Sequence, residues 1–156
     1  MNRITYESCD YINPAHKKAL LALMDHYMSD PMGNTPSLSE IQQLALIEGL
    51  RNHPSSLVLF ILCNNKIEGM AVCFINFSTF KVKPYLYIHD LIIYKKLRGK
   101  GLGRLLLNEL IRISEDRGYC KLTLEVREDN PAAQSLYINL GFKDCEPPMW
   151  FWTKQL

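Results

Sequence analysis

The run Leu91-Ile92-Ile93-Tyr94-Lys95-Lys96-Leu97-Arg98-Gly99-Lys100-Gly101-Leu102-Gly103-Arg104 changes character twice. Its first three residues close an apolar strand pattern that begins near Tyr85. From Leu102 onward, Leu105, Leu106, Leu110 and Ile113 recur on one helical face, and Gly118 supplies a C-terminal stop. A strand that enters a helix through such a turn presents several unpaired backbone N–H groups at the positive end of the helix dipole, which favours phosphate. Gly99, Gly101 and Gly103 let the backbone approach an anion with no Cβ in the way. Lys95, Lys96, Arg98, Lys100 and Arg104 surround the turn with positive charge, which suits a pyrophosphate or a 3′-phosphorylated nucleotide. Two familiar phosphate motifs fail on spacing: no Ser or Thr follows a Gly-Lys pair, and Gly103 leads into Arg104-Leu105-Leu106 rather than completing GxGxxG. The competing reading of the same residues is a flexible loop with a solvated basic face.

Upstream of this turn the pattern predicts a short strand over Ile4 to Glu7 and then a helix opened by Asn13-Pro14 and carrying Leu20, Leu21, Met24 and Tyr27. Asp30 to Pro36 reads as a loop. Ser37-Leu38-Ser39-Glu40 has capping-box spacing and opens a second helix with Ile41, Leu44, Ala45 and Glu48. Leu57 to Cys63, the turn Asn64-Asn65 and Ile67 to Phe77 read as a hairpin. Downstream, Lys121 to Val126 alternates as a strand, Asn130-Pro131 opens a short helix ended by Gly141, and a last strand is expected over Trp150 to Thr153. The order predicts one mixed α/β domain over residues 1–156, with helices, a hairpin-rich sheet, then strand-helix-strand-helix-strand.

Composition narrows the function classes. Hydrophobic residues make up 47% and charged residues 22% of 156 residues, as in an ordinary globular domain. The longest apolar run, Leu57 to Cys63, is too short to cross a bilayer, and the N-terminus lacks a secretory core, so no membrane role is expected. A formal charge of +2 gives no ground for nucleic-acid binding. Five scattered cysteines with no CxxC pair predict no metal site and a reducing cytoplasmic setting.

Arg98-Gly99-Lys100-Gly101-Leu102-Gly103 resembles the R/Q-x-x-G-x-G/A signature of the GCN5-related N-acetyltransferases. The preceding Leu91-Ile92-Ile93 is similar to the family's strand end at the cofactor, and Asn130 to Phe142 resembles its N-x-x-A-x-x-x-Y-x-x-x-G-F segment. The resemblance is dense from about Phe77 to Phe142 and faint before it. It implies the GNAT fold, an α/β (α+β) arrangement with a mixed, mostly antiparallel central sheet, splayed strands and flanking helices. It also implies acetyl-CoA as co-substrate and a primary amine of a small molecule as acceptor.

Residue by residue, the resemblance implies that the amides of Arg98, Gly99, Lys100, Gly101, Leu102, Gly103 and Arg104 hold the pyrophosphate. Leu91 and Ile93 would pair with the pantetheine amides in a slot where their strand splays from Thr123–Val126, and an amide at Leu91 or Ile92 would polarise the thioester carbonyl. Asn130 would touch the cofactor arm, although Asn before Pro is also an ordinary N-cap. Tyr137 would protonate the leaving thiolate, although it also sits on a helical stripe with Ala133 and Leu140. Chemistry adds a requirement, since the attacking amine must lose a proton first. His89, Asp90 and Glu125 are the candidates, and His89 and Asp90 share a face only if a bulge intervenes.

Phe77-Ser78-Thr79-Phe80 and Leu86-Tyr87-Ile88-His89-Asp90-Leu91 further resemble the diamine- and polyamine-type relatives, with His89 standing where those carry glutamate. A histidine attracts a polycation poorly, which tells against a polyamine itself. The remaining histidines, His16, His26 and His53, read as surface or packing residues. The apolar tail Pro147-Pro148-Met149-Trp150-Phe151-Trp152 is compatible with a homodimer. Rival functions are a protein or peptide N-acetyltransferase, a non-catalytic acyl-CoA-binding regulatory module, and a nucleic-acid-binding domain resting only on the basic cluster.

Overall fold

Asn64 and Asn65 both adopt positive φ, 52° and 63°, as a two-residue hairpin turn between right-twisted strands demands. That hairpin is the centre of the fold. In the computed structural model, which describes residues 3–156, it joins β2 (Ser56–Cys63) to β3 (Lys66–Ser78). The full order adds β1 (Ile4–Ser8), α1 (Pro14–Met28) and α2 (Glu40–Asn52) before the hairpin. After it come β4 (Lys83–Ile93), a 3-10 turn over Lys95–Leu97, α3 (Leu102–Asp116), β5 (Leu122–Leu124) and α4 (Pro131–Ile138). One five-stranded sheet runs β1-β2-β3-β4-β5, antiparallel throughout except for the parallel β4–β5 pair. The expected mixed, mostly antiparallel sheet with flanking helices is therefore present. No helix among the described residues is long and apolar enough to cross a membrane.

Cross-strand partners lie on one face of a sheet, so the register sorts the core. One face carries Val58, Phe60, Leu62, Met70, Val72 and Ile92, which form one buried cluster with Leu20 and Leu23 of α1 and Ile47 and Leu50 of α2. On α3, Leu106, Leu107 and Leu110 are fully buried but lie outside that cluster, and the helix packs against β2, β3 and β4. Truncating any one of them to Ala removes about 2–5 kcal/mol of stability.

Local expectations shift in four places. The capping box of α2 is Ser39 with Gln42, not Ser37 with Glu40. Both pairs fit the spacing, and starting the helix at Glu40 puts that carboxylate in the first turn, at the positive end of the dipole. The buried face of α2 consequently holds Ile47 and Leu50, while Ile41 and Leu44 are exposed. On α3, Leu105 is partly exposed, and Leu107 joins the stripe in its place. β5 is shorter than Lys121 to Val126, because its partner β4 carries an extra residue just past the paired segment.

The described residues form two compact units, one running up to Glu125 and one spanning Val126–Leu156. The second holds α4, with Asn130 as N-cap through Ala133 N–H at 3.2 Å, and Gly141 at φ 87° ends the turn after the helix. No strand forms over Trp150 to Thr153. Pro147 and Pro148 just before it lack the N–H groups a ladder would use.

Candidate active site

Site geometry begins with a bulge in β4. Val72 pairs with Asp90 and Cys73 with Ile88, so His89 is the extra residue. Without it, His89 and Asp90 would face opposite sides. With it, Asp90 shares the face of Val72, Tyr87 shares the face of Phe74, and the His89 ring meets Phe74 edge-on at 5.8 Å. His89 and Asp90 thus come to the same face. Burial pushes the Asp90 carboxyl upward, partly opposed by the charge of His89, which makes it a better proton acceptor than a solvated aspartate.

The bulge also ends the β4–β5 ladder. Pairing covers only Leu86, Ile88 and their neighbour Tyr87 with Leu122, Leu124 and Thr123. Beyond it, Leu91 to Ile93 pair with β3 and not with β5, and Ile93 O also accepts from the Arg98 side chain. The Tyr94 N–H donates to Glu68 O at 3.2 Å on the β3 side, so strand alternation turns the backbone of Leu91 and Ile93 to the opposite, open edge. That edge is a ready partner for the amides of an extended ligand.

Past Ile93 the chain forms the glycine-rich turn. Gly99 and Gly101 sit at φ 75° and 85°, where a side chain is strained, and a Cβ at either would meet nothing within 4 Å. The first bond of α3 runs from Leu105 N–H to Gly101 O at 3.0 Å. Helix geometry leaves the N–H groups of Gly101, Leu102, Gly103 and Arg104 without intrahelical acceptors. Open space above two glycines and a helix start with free donors fit a phosphate group.

Arg98 departs from expectation. Its N–H donates to Lys95 O, and its guanidinium donates to Ile93 O at 3.1 Å and to Asp30 Oδ2 at 2.8 Å. Side chain and amide of Arg98 are thus both committed to partners within the chain, unlike the N–H groups at the start of α3. Asp30, 8% exposed, also accepts Met32 N–H at 3.1 Å; these hydrogen bonds and Arg98 hold its carboxyl below the usual range. His26 of α1 accepts Lys95 N–H through Nε2 at 3.0 Å. Together Asp30 and His26 fasten the end of α1 to the start of the turn. The sequence offered no signal for this, because the pairs lie 68 and 69 residues apart.

Near His89, Tyr87 donates its hydroxyl proton to Glu125 Oε1 at 2.9 Å, and His89 Nδ1 lies 3.2 Å from the same hydroxyl. Cysteine chemistry finds no support. Burial pushes the Cys73 thiol up to about 12 and the Cys9 thiol to about 11, so neither is a thiolate near neutral pH. In the second unit Tyr137 is half-buried on α4, its ring 5.9 Å from Phe142.

The family described as Acetyltransferase (GNAT) family matches residues 20–142. The chain belongs to this family. A [Ribosomal protein bS18]-alanine N-acetyltransferase of Haemophilus influenzae is 36% identical over 88 residues, 56% of this chain and 56% of the relative. A thialysine N-epsilon-acetyltransferase of Bos taurus is 28% identical over 78 residues, 50% of this chain and 45% of the relative. The chain therefore spans about half the length of these curated relatives. An aminoglycoside N-acetyltransferase solved in complex with CoA superposes with a TM-score of 0.77 at 15% identity, covering 100% of this chain and 97% of that one. At that identity the likeness speaks for the GNAT fold.

Proposed function

We propose that this GNAT member is an N-acetyltransferase that moves the acetyl group of acetyl-CoA to a primary amine of a small molecule by direct attack in a ternary complex. One observation carries this reading. The bulge at His89 both opens the β4 edge at Leu91 and Ile93 and brings His89 and Asp90 to one face. A donor slot and a proton acceptor thus arise from the same residue.

Acetyl-CoA, bound, supplies an activated thioester. The chain's residues do the rest. Amides of Gly99 to Arg104 take the pyrophosphate, and the Leu91 and Ile93 backbone aligns the pantetheine arm. The Leu91 amide, or that of Ile92, stabilises charge on the thioester oxygen. His89 or Asp90 accepts the amine proton, Asn130 contacts the donor arm, and Tyr137 returns a proton to the departing thiolate. Holding both reactants in line contributes much of the acceleration. The family match crosses both compact units, which supports reading residues 1–156 as one catalytic domain. Five free thiols fit a reducing cytoplasm, and the exposed Trp150, Phe151 and Trp152 fit a homodimer contact.

A second reading is favoured by the ribosomal-protein relative: acetylation of a peptide N-terminus. Incubation with acetyl-CoA and diamines, amino acids, aminoglycosides or alanine-initiated peptides, followed by mass spectrometry of the products, separates the two. Acetylated small amines support the proposal. Acetylation of peptides alone replaces it with the second reading, and acetyl-CoA binding with no product in any class leaves a regulatory module.

A further inference from the structure

We infer that Tyr87 and Glu125 are positioning residues that hold His89 in its Nδ1–H tautomer, leaving Nε2 as the atom that takes the proton of the acceptor amine. The inference rests on the acetyl-transfer reading above and settles which nitrogen serves it. A phenol owns one proton. Tyr87 Oη lies 2.9 Å from a Glu125 carboxylate oxygen, which accepts but cannot donate, and 3.2 Å from His89 Nδ1. A hydrogen bond to a charged acceptor is shorter and roughly twice as strong as one between neutral groups, so the Tyr87 proton goes to Glu125. The lone pairs of Tyr87 Oη then face His89, and only a protonated Nδ1 satisfies them. Neutral imidazole with a proton on Nδ1 carries its lone pair on Nε2.

Three features hold the arrangement. Phe74 packs its ring edge-on against His89 at 5.8 Å and is itself braced by His53 at 4.8 Å. Tyr87 stays a phenol through the working range, since burial and then the hydrogen bond and charge of Glu125 push it up to about 12. Glu125 follows the last paired residue of β5, Leu124, whose partner Ile88 lies between Tyr87 and His89. The titratable groups around His89 are therefore Tyr87 and Asp90 on its own strand, Glu125 beyond β5, and His53 behind Phe74. In the reaction the ammonium gives one proton to His89 Nε2, and the freed lone pair attacks the thioester carbonyl. A C–N bond forms and the C–S bond breaks, the departing thiolate takes the Tyr137 proton, the second amine proton restores Tyr137 through solvent, and imidazolium returns its own proton to water.

Nitrogen-15 NMR of the histidine side chains, recorded on the full chain without acetyl-CoA, reads the tautomer directly. The expected result is a His89 Nδ1 that carries the proton and an Nε2 that does not. Tyr87→Phe and Glu125→Ala should move His89 toward the Nε2–H form, whereas Glu125→Gln, which keeps an oxygen acceptor, should retain most of the Nδ1–H form. In turnover, Tyr87→Phe should lower kcat about ten- to a hundredfold, in the range of a misplaced general base, with KM for acetyl-CoA unchanged. An Nε2–H tautomer in the wild type, or one unmoved in both Tyr87→Phe and Glu125→Ala, overturns the inference. A tautomer that moves while kcat stays constant removes His89 as the base and leaves acetyl transfer itself standing.

Discussion

Asp30 shows how one residue fixes a turn distant from it in sequence. Its carboxylate ties the loop after α1 to Arg98 at 2.8 Å, and Arg98 in turn bonds Ile93 O at the end of β4. Asp30→Asn should cost about 1–3 kcal/mol at neutral pH, since it leaves a charged donor with a weaker partner. Because the folded-state carboxyl sits below its ordinary value, this contribution is present above about pH 4 and is lost as pH falls through the folded value. Urea melts of wild type and variant should therefore differ at pH 7 and converge on acidification. At the same scale, Tyr137→Phe should lower kcat at least tenfold with acetyl-CoA affinity unchanged, measured by calorimetry beside steady-state rates. Single residues divide sharply in how legible they were. His89 and Asp90 stand out because they interrupt an apolar strand beside a recognisable motif. Asp30 and His26 do not, because their partners are set by tertiary folding and no local spacing encodes a contact across 68 residues.

Elements carry the site through β4 and α3. Gly69 of β3 is where a Cβ would come within 2.6 Å of Ile92 O and 2.4 Å of Ile93 Cδ1. Gly69→Ala should push the end of β4 outward and raise KM for acetyl-CoA several-fold, with a melting temperature lowered by a few degrees. Gly101 differs, since nothing crowds it and only its φ of 85° resists a side chain. Gly101→Glu should cost about 1–2 kcal/mol of stability. It should also abolish acetyl-CoA binding by calorimetry, because it sets negative charge where phosphate belongs. The amphipathic stripe of α3 and the Asn64-Asn65 hairpin were legible at this scale, because one chain segment contains the whole signal. The limits of β5 were not, since they depend on a bulge in another strand. The start of α2 was ambiguous for a simpler reason, as two serines two residues apart each fit a capping box.

Across the whole molecule, the register of one sheet lets a single extra residue set the layout of the proposed site. The ladder beside β5 ends, an edge is left unpaired, and His89 and Asp90 meet on one face. Sequence pattern anticipated the family, the mixed sheet and the turn, because glycine spacing and strand order are local or sequential. It misread Trp150 to Thr153, whose aromatic content favours a strand but whose pairing depends on a partner edge. Acceptor identity was equally out of reach, since the resemblance to the family is faint before Phe77. The most direct measurement is the initial rate of free CoA thiol release from acetyl-CoA, with and without a panel of primary amines. Release that depends on at least one small amine and vanishes in Gly101→Glu is the predicted result, and acetyl-CoA that is neither bound nor cleaved with any amine would contradict it.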